Sequence, residues 1–156
     1  MIDAKARRHS KGQSLAEFAL VIPLFLVMLF GIIDIGRVIW ANDALANAAR
    51  EGARYASVTG SSLITPTSTK NDIKAYTRNY AIAAGTNVNV TVCYSAVTNS
   101  SATSGCTGDN DQSGVTNDRG SLVTVQVTST VPILTGALLG MGAFTVSGTS
   151  TVLVNN

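Results

Sequence analysis

Three oxygen-bearing side chains at alternate positions mark the stretch of this chain with the clearest claim to site chemistry. Asp109, Asp111 and Ser113 stand at positions one, three and five of a loop whose sixth residue is Gly114, which is the first half of an EF-hand-like calcium loop. The second half fails. Position twelve is Gly120, where a bidentate glutamate is needed, so Asp118 would have to complete the shell. The stretch reads first as a solvated acidic loop and only second as a calcium site. Asp109, Asp111 and Asp118 also offer a carboxylate pair for acid and base work, but they sit among Gly, Ser and Asn with no aromatic cleft signal beside them.

Other catalytic arrangements are excluded by the composition. The one histidine, His9, lies among basic residues near the amino end, so no Ser-His-Asp or Cys-His set can form in the rest of the chain. No glycine pattern that cradles phosphate is present. The expectation is a protein that is not an enzyme and holds no cofactor. Cys93 and Cys106 lack CxxC spacing and have no histidine near them for a metal site, so a disulfide is expected in an oxidising compartment, with two buried thiols as the alternative. Closing a loop of this length would contribute about 3 kcal/mol in the chain-entropy model. The sequons at Asn89 and Asn99 carry no weight, because that pattern arises often in Thr-rich strands.

A different kind of chemistry belongs to Glu17. It is a carboxylate immediately before an uncharged run from Phe18 to Ile33, with Asp34 at the far end. The run holds twelve Leu, Ile, Val and Phe residues. Each favours insertion into a bilayer by roughly 0.3 to 0.6 kcal/mol, against roughly 3 kcal/mol for an acid at its centre. Insertion wins, although a crossing needs about 20 residues and the run is marginal until Leu15, Ala16 and Ile35 are counted. Lys5, Arg7, Arg8 and Lys11 against Asp3 put +3 on the first twelve residues and leave −1 for the remainder of a chain whose formal charge is +2. By the positive-inside rule, the amino end stays in the cytoplasm and everything after Asp34 faces outward. The basic cluster has no aromatic platform or folded context, so nucleic acid is not an expected partner.

The elements follow from period and composition. Residues 1–12 read as a polar basic leader outside the fold, 13–40 as a transmembrane and assembly helix, and 41–156 as an exported α+β domain. A helix is expected from near Ser14, which has Glu17 at capping-box spacing, to about residue 58, a length of about 70 Å. Pro23 inside it should kink or loosen a turn, while Gly31 and Gly36 are weak points or close-packing spots. Asp34 and Arg37 lie three apart and can partly neutralise each other. Leu45, Ala48, Ala49, Gly52, Ala53 and Ala56 make one face of mostly small residues suited to close approach, and Asn47, Arg50, Glu51 and Arg54 make the other, polar face.

A Ser/Thr/Pro-rich linker follows, then a second helix over 71–84 capped by Asn71 and ended by Gly85. Period-two patterns place strands at about 87–97 and 121–131, and a less regular run places a third at about 144–154, making a small antiparallel sheet on the outer half of the long helix. Residues 132–142 are apolar and glycine-rich, either a short helix or an apolar loop. At 156 residues there is room for one such domain beyond the apolar segment and no second core.

Two cleavage schemes compete at the amino end. A secretory peptidase would use Ala44-Leu45-Ala46 or Ala46-Asn47-Ala48, but the removed peptide would exceed the usual 15 to 30 residues. The other cut falls after Gly12 and leaves the helix in place. Gly12 followed by Glu17 and Phe18, with Ile22-Pro23-Leu24, Asp34-Ile35-Gly36-Arg37 and Ala48-Ala49-Arg50-Glu51-Gly52-Ala53-Arg54 behind, resembles the TadE-like pseudopilins of tight-adherence (Flp, type IVc) pilus systems. The resemblance covers residues 11 to about 58 and weakly Val131-Pro132. It implies a single-pass precursor in a bacterial inner membrane, cut by a prepilin peptidase and used as a minor pilin or pseudopilin.

Its implied partners are that peptidase, other pilins or pseudopilins, the pilus assembly machinery and membrane lipid. By position, Gly12 would be the peptidase recognition residue, Gln13 the new amino terminus and Glu17 the carboxylate that pairs with a neighbouring subunit's terminal amine. Glu17, Pro23, Asp34 and Arg37 are the expected assembly residues. The competing function is a permanently anchored extracytoplasmic binding or adhesion domain, calcium-dependent if the 109–120 loop takes the ion.

Overall fold

The computed structural model describes residues 10–59, 66–85, 87–97, 108–111, 115, 119–136, 140 and 142–155. Helix α1 (Ser10–Val58) comes first, then α2 (Pro66–Ala81) with a 3-10 turn at Ile82–Ala84, and three strands, β1 (Val88–Ser95), β2 (Leu122–Val131) and β3 (Phe144–Leu153). The strands form one antiparallel sheet in the order β1-β2-β3. This is an α+β lollipop: a long helix whose outer half carries a three-stranded sheet.

Two helix starts differ from the sequence expectation. α1 begins at Ser10, so Ser14 lies inside the helix and not at its cap position. No helix-breaking residue separates Ser10 from Ser14, and Gly12 alone is too weak a breaker to hold the start back. α2 begins at Pro66, ahead of the expected cap Asn71. Proline suits a first helical turn because its fixed φ is helical and its missing N–H would have had no partner there. Gly85, at φ 120°, ends the 3-10 turn and donates its N–H to the Ile82 carbonyl at 3.2 Å.

Sheet and helix meet through one face of each. Val90 pairs with Val127, Val92 with Val125 and Tyr94 with Val123, and all six are buried. On β3 the register places Val152, Ser150, Gly148, Val146 and Phe144 opposite Val123, Val125, Val127, Ser129 and Val131. Sequence pattern alone left that strand irregular because its central inward residue is a glycine. The reason is steric: a Cβ at Gly148 would lie 2.5 Å from the Leu45 carbonyl carbon and 2.6 Å from the Ala46 nitrogen. β3 therefore crosses α1 backbone against backbone.

The helix reciprocates with small residues. Ala41, Leu45, Ala48, Ala49, Ala53 and Ala56 are all buried, and Leu45 is the one large side chain among them. A Cβ at Gly52 would collide with the Thr77 side chain of α2, so the two helices also meet at a glycine. Thr77 returns its hydroxyl to the Ile73 carbonyl at 2.7 Å, which satisfies it inside the core. The ladder closes at its end: Val154 N–H donates to Ser121 O at 2.8 Å and Asn155 N–H to Ser57 O at 3.1 Å.

Candidate functional site

Below Asp34 the helix packs on almost nothing. From Gly12 to Ile33 every residue except Val27 and Gly31 is exposed, Leu20 at 75% and Phe18 at 63%. Such a surface is costly in water, at ~25 cal/mol per Å² of apolar area. The segment is long and apolar enough to cross a membrane. α1 runs through Pro23 as one continuous helix, although that residue deletes the bond to the carbonyl four residues back. Among the described residues, Cβ atoms on Gly12, Gly31 or Gly36 would touch nothing within 4 Å, so no described neighbour demands a glycine at these positions.

Glu17 sits on this bare surface. Gln13 Nε2 donates to its Oε1 at 3.4 Å, a long bond across one helical turn. The carboxylate is thus exposed beside Phe18, one turn from the residue that cleavage after Gly12 would make the amino terminus.

Asp34 is bound quite differently. It is 5% exposed, and its carboxylate accepts from Leu134 N–H at 3.0 Å, Thr135 N–H at 2.9 Å and the Thr135 hydroxyl at 2.8 Å. Arg37 lies 3.7 Å from Asp34 and donates to the Pro132 carbonyl at 3.1 Å. Sequence spacing brought Asp34 and Arg37 together, and they are paired, but their shorter bonds are to a segment about 100 residues away. No local periodicity could disclose those partners. Beside this junction, a largely apolar cavity of about 420 Å³ opens between α1 and the end of β2, lined among others by Val27, Gly31, Val38, Ile133 and Phe144.

The acidic loop is occupied by protein donors. Asp109 accepts from Val92 N–H at 3.0 Å and from Lys74 Nζ at 2.7 Å, and Asp111 from Tyr94 N–H at 2.8 Å and Lys70 Nζ at 2.6 Å. Lys70 also reaches the Asp109 carbonyl at 3.0 Å and lies 5.8 Å from the Tyr94 ring centre. Burial pushes the Asp109 carboxyl up, but Lys74 and the Val92 amide outweigh it and hold the group below its usual range. Burial, reinforced by the charge on Asp111, pushes the Tyr94 hydroxyl up to about 12. These two aspartates dock the loop onto β1 and α2, with their oxygens taken by cations and amides. Ser113 and Asp118, the other candidate calcium ligands, lie outside the described residues, and among the described residues no cluster suited to a metal is formed.

A polar cluster whose partner on α2 no local spacing discloses joins the two helices. Glu51 is held by Arg54 at 2.6 and 3.0 Å and by the Tyr76 hydroxyl at 2.9 Å, while Tyr76 stacks on Tyr55 at 4.2 Å between ring centres. The bonds from Arg54 and then Tyr76 pull the Glu51 carboxyl down to about 2, and Glu51 in turn raises the Arg54 guanidinium. Hydrogen bonds to Tyr80 and Glu51 push the Tyr76 hydroxyl above its ordinary range. Cys93 is buried on β1, and Cys106 lies outside the described residues.

Fold and surface together define an α+β domain carried on an amino-terminal helix whose apolar half has little packed against it among the described residues. The family model described as TadE-like protein matches residues 12–54, so over that segment the chain is similar to the TadE-like proteins of Tad pilus systems. No curated protein and no solved structure matches the chain.

Proposed function

We propose that this chain is a minor pilin or pseudopilin of a type IVc (Flp/Tad) pilus, a structural subunit or assembly factor rather than an enzyme. In this reading it is a single-pass protein of a bacterial inner membrane, with its amino end in the cytoplasm and the sheet domain outside. A prepilin peptidase cuts after Gly12. The helix leaves lipid to pack against the helices of other subunits.

One observation carries the reading. The TadE-like match, residues 12–54, begins at Gly12 and ends within the clamped outer half of α1, so it takes in both the bare apolar surface and the face that holds the sheet. Gly12 supports it further, since among the described residues nothing lies within 4 Å of where its Cβ would be. An unpaired carboxylate beside hydrocarbon is expensive, and a fresh ammonium from a neighbouring subunit is a natural partner for Glu17. Outside the membrane, a Cys93–Cys106 disulfide would fasten the loop that follows β1; iodoacetamide labelling with and without reductant tests it.

The mass of the protein recovered from membranes is the direct test. Loss of residues 1–12 supports processing after Gly12, loss of about 46 residues means secretory cleavage, and full length means a plain anchor. Gly12→Leu should abolish the mass change. Glu17→Ala should still be cut but fail to enter the pilus apparatus, and normal incorporation would sink the pairing role.

A further inference from the structure

The apolar run that ends at Asp34 in the sequence does not end there in the folded chain. Asp34 would close the membrane-crossing surface if its charge faced outward. Instead three donors from Leu134 and Thr135 enclose it. Past it, the outward surface of α1 stays apolar through Ile35, Ile39 and Trp40, which are 62%, 58% and 59% exposed. From Phe18 to Trp40 the helix rises roughly 33 Å, close to the ~30 Å of a bilayer's hydrocarbon core.

The turn that encloses Asp34 is itself apolar. Ile133 is half-buried, while Leu134 and Phe144 are each 55% exposed, and the sequence from Pro132 to Phe144 contains no charged residue. Because its hydrogen bonds fix it at the level of residue 34, this turn sits roughly one helical turn below where a core entered at Phe18 would end. Its surface is continuous with the bare helix across the cavity they share. Among the described residues, Arg37 is the charge beside this turn other than the enclosed Asp34. Its guanidinium is turned to the Pro132 carbonyl, and its long stem can carry it toward headgroups. Trp40 has the type and position of an interfacial anchor.

We propose that the apolar corner made by Ile133 and Leu134 after β2 and by Phe144 at the start of β3 is a second membrane-contacting element that enters the outer leaflet beside α1. Asp34 is its positioning residue: capping the turn removes a charge from the lipid-facing surface and places apolar side chains there. The occupant of the groove is lipid acyl chain. This rests on the membrane reading given above and adds a depth and a contact that the helix alone does not specify.

The test uses the full chain in vesicles of phosphatidylcholine and phosphatidylglycerol, with brominated phosphatidylcholine as quencher. The chain has one tryptophan. In a Trp40→Phe background, a probe is placed by Leu134→Trp or, independently, Phe144→Trp, each at a half-exposed position where a larger ring adds to the surface. Leu24→Trp reports the helix and Thr149→Trp the outer face of the sheet. Brominated lipid should quench the probes at 134 and 144 several-fold more than that at 149, and less than that at 24. Quenching at 24 with none at 134 and 144 overturns the inference while leaving the anchor intact. No quenching at 24 removes the anchor and the inference together. Probes at 134 and 144 shielded from both brominated lipid and aqueous acrylamide would place a protein there and overturn the lipid assignment.

Discussion

One helix carries two opposite surfaces in succession. Between Gly12 and Ile33, α1 displays large aliphatic and aromatic side chains that touch little else in the chain, whereas between Ala41 and Ala56 its buried face is mostly alanine and lies against the sheet and α2. Hydrophobicity does not explain the contrast. The outer half is held more tightly with smaller side chains, because Gly52, Gly148 and the alanines let backbones approach. Large side chains here equip a surface for an outside medium, and small ones equip it for its own sheet.

The largest effect is expected where the outer contact is closest. Gly148→Val puts atoms into the Leu45–Ala46 backbone, which cannot swing aside as a side chain can, and should destabilise the domain by about 3 kcal/mol or more in denaturant unfolding of the full chain in micelles. Wild-type stability would show that β3 can ride off the helix. Next, Leu45→Ala should cost about 2 to 3 kcal/mol in the same assay, while Leu24→Ala should leave the unfolding midpoint in place. Equal effects from the two leucines would erase the distinction between the halves.

A third contribution depends on pH. The Glu51 carboxyl falls from its ordinary 4.5 to about 2 in the folded chain, so the unfolded state binds its proton first as pH drops. Its stabilising contribution is full above about 4.5 and is lost as pH falls toward about 2. The stability difference between wild type and Glu51→Gln should shrink over that window, and a difference that stays flat would remove the Arg54 and Tyr76 bonds from the account. The smallest effect belongs to the half-buried Asp111. Asp111→Asn should cost about 1 kcal/mol or less and speed exchange at the Tyr94 amide. Millimolar calcium should leave the thermal midpoint unmoved, because Lys70 and Lys74 already hold both carboxylates.

The residues that declared themselves in the sequence were those governed by period. Valines at alternate positions gave β1 and β2, and the 3,4,3 spacing of Leu45 to Ala56 gave the buried face of α1. What stayed hidden depended on distant partners. Asp34 reads locally as the edge of a membrane run, and only the fold supplies Thr135. Asp109 and Asp111 have calcium spacing, yet the lysines one helical turn apart on α2 complete their bonding. Gly148 breaks the strand pattern for a reason that lies on another element. Glu51 was legible only as part of a polar face, since Tyr76 reaches it from α2.

The two ends of the outer helical segment are both fastened, by Asp34 to Thr135 at one and by Ser57 to Asn155 at the other. A beam clamped at both ends and pressed on a sheet between them does not flex on its own. Any bending that accompanies movement of α1 between surroundings is therefore concentrated below Asp34, where Pro23 removes a hydrogen bond and Gly31 lacks a side chain. The sheet domain would then be carried through such a movement as a rigid head, its orientation set by the curvature of the bare segment beneath it.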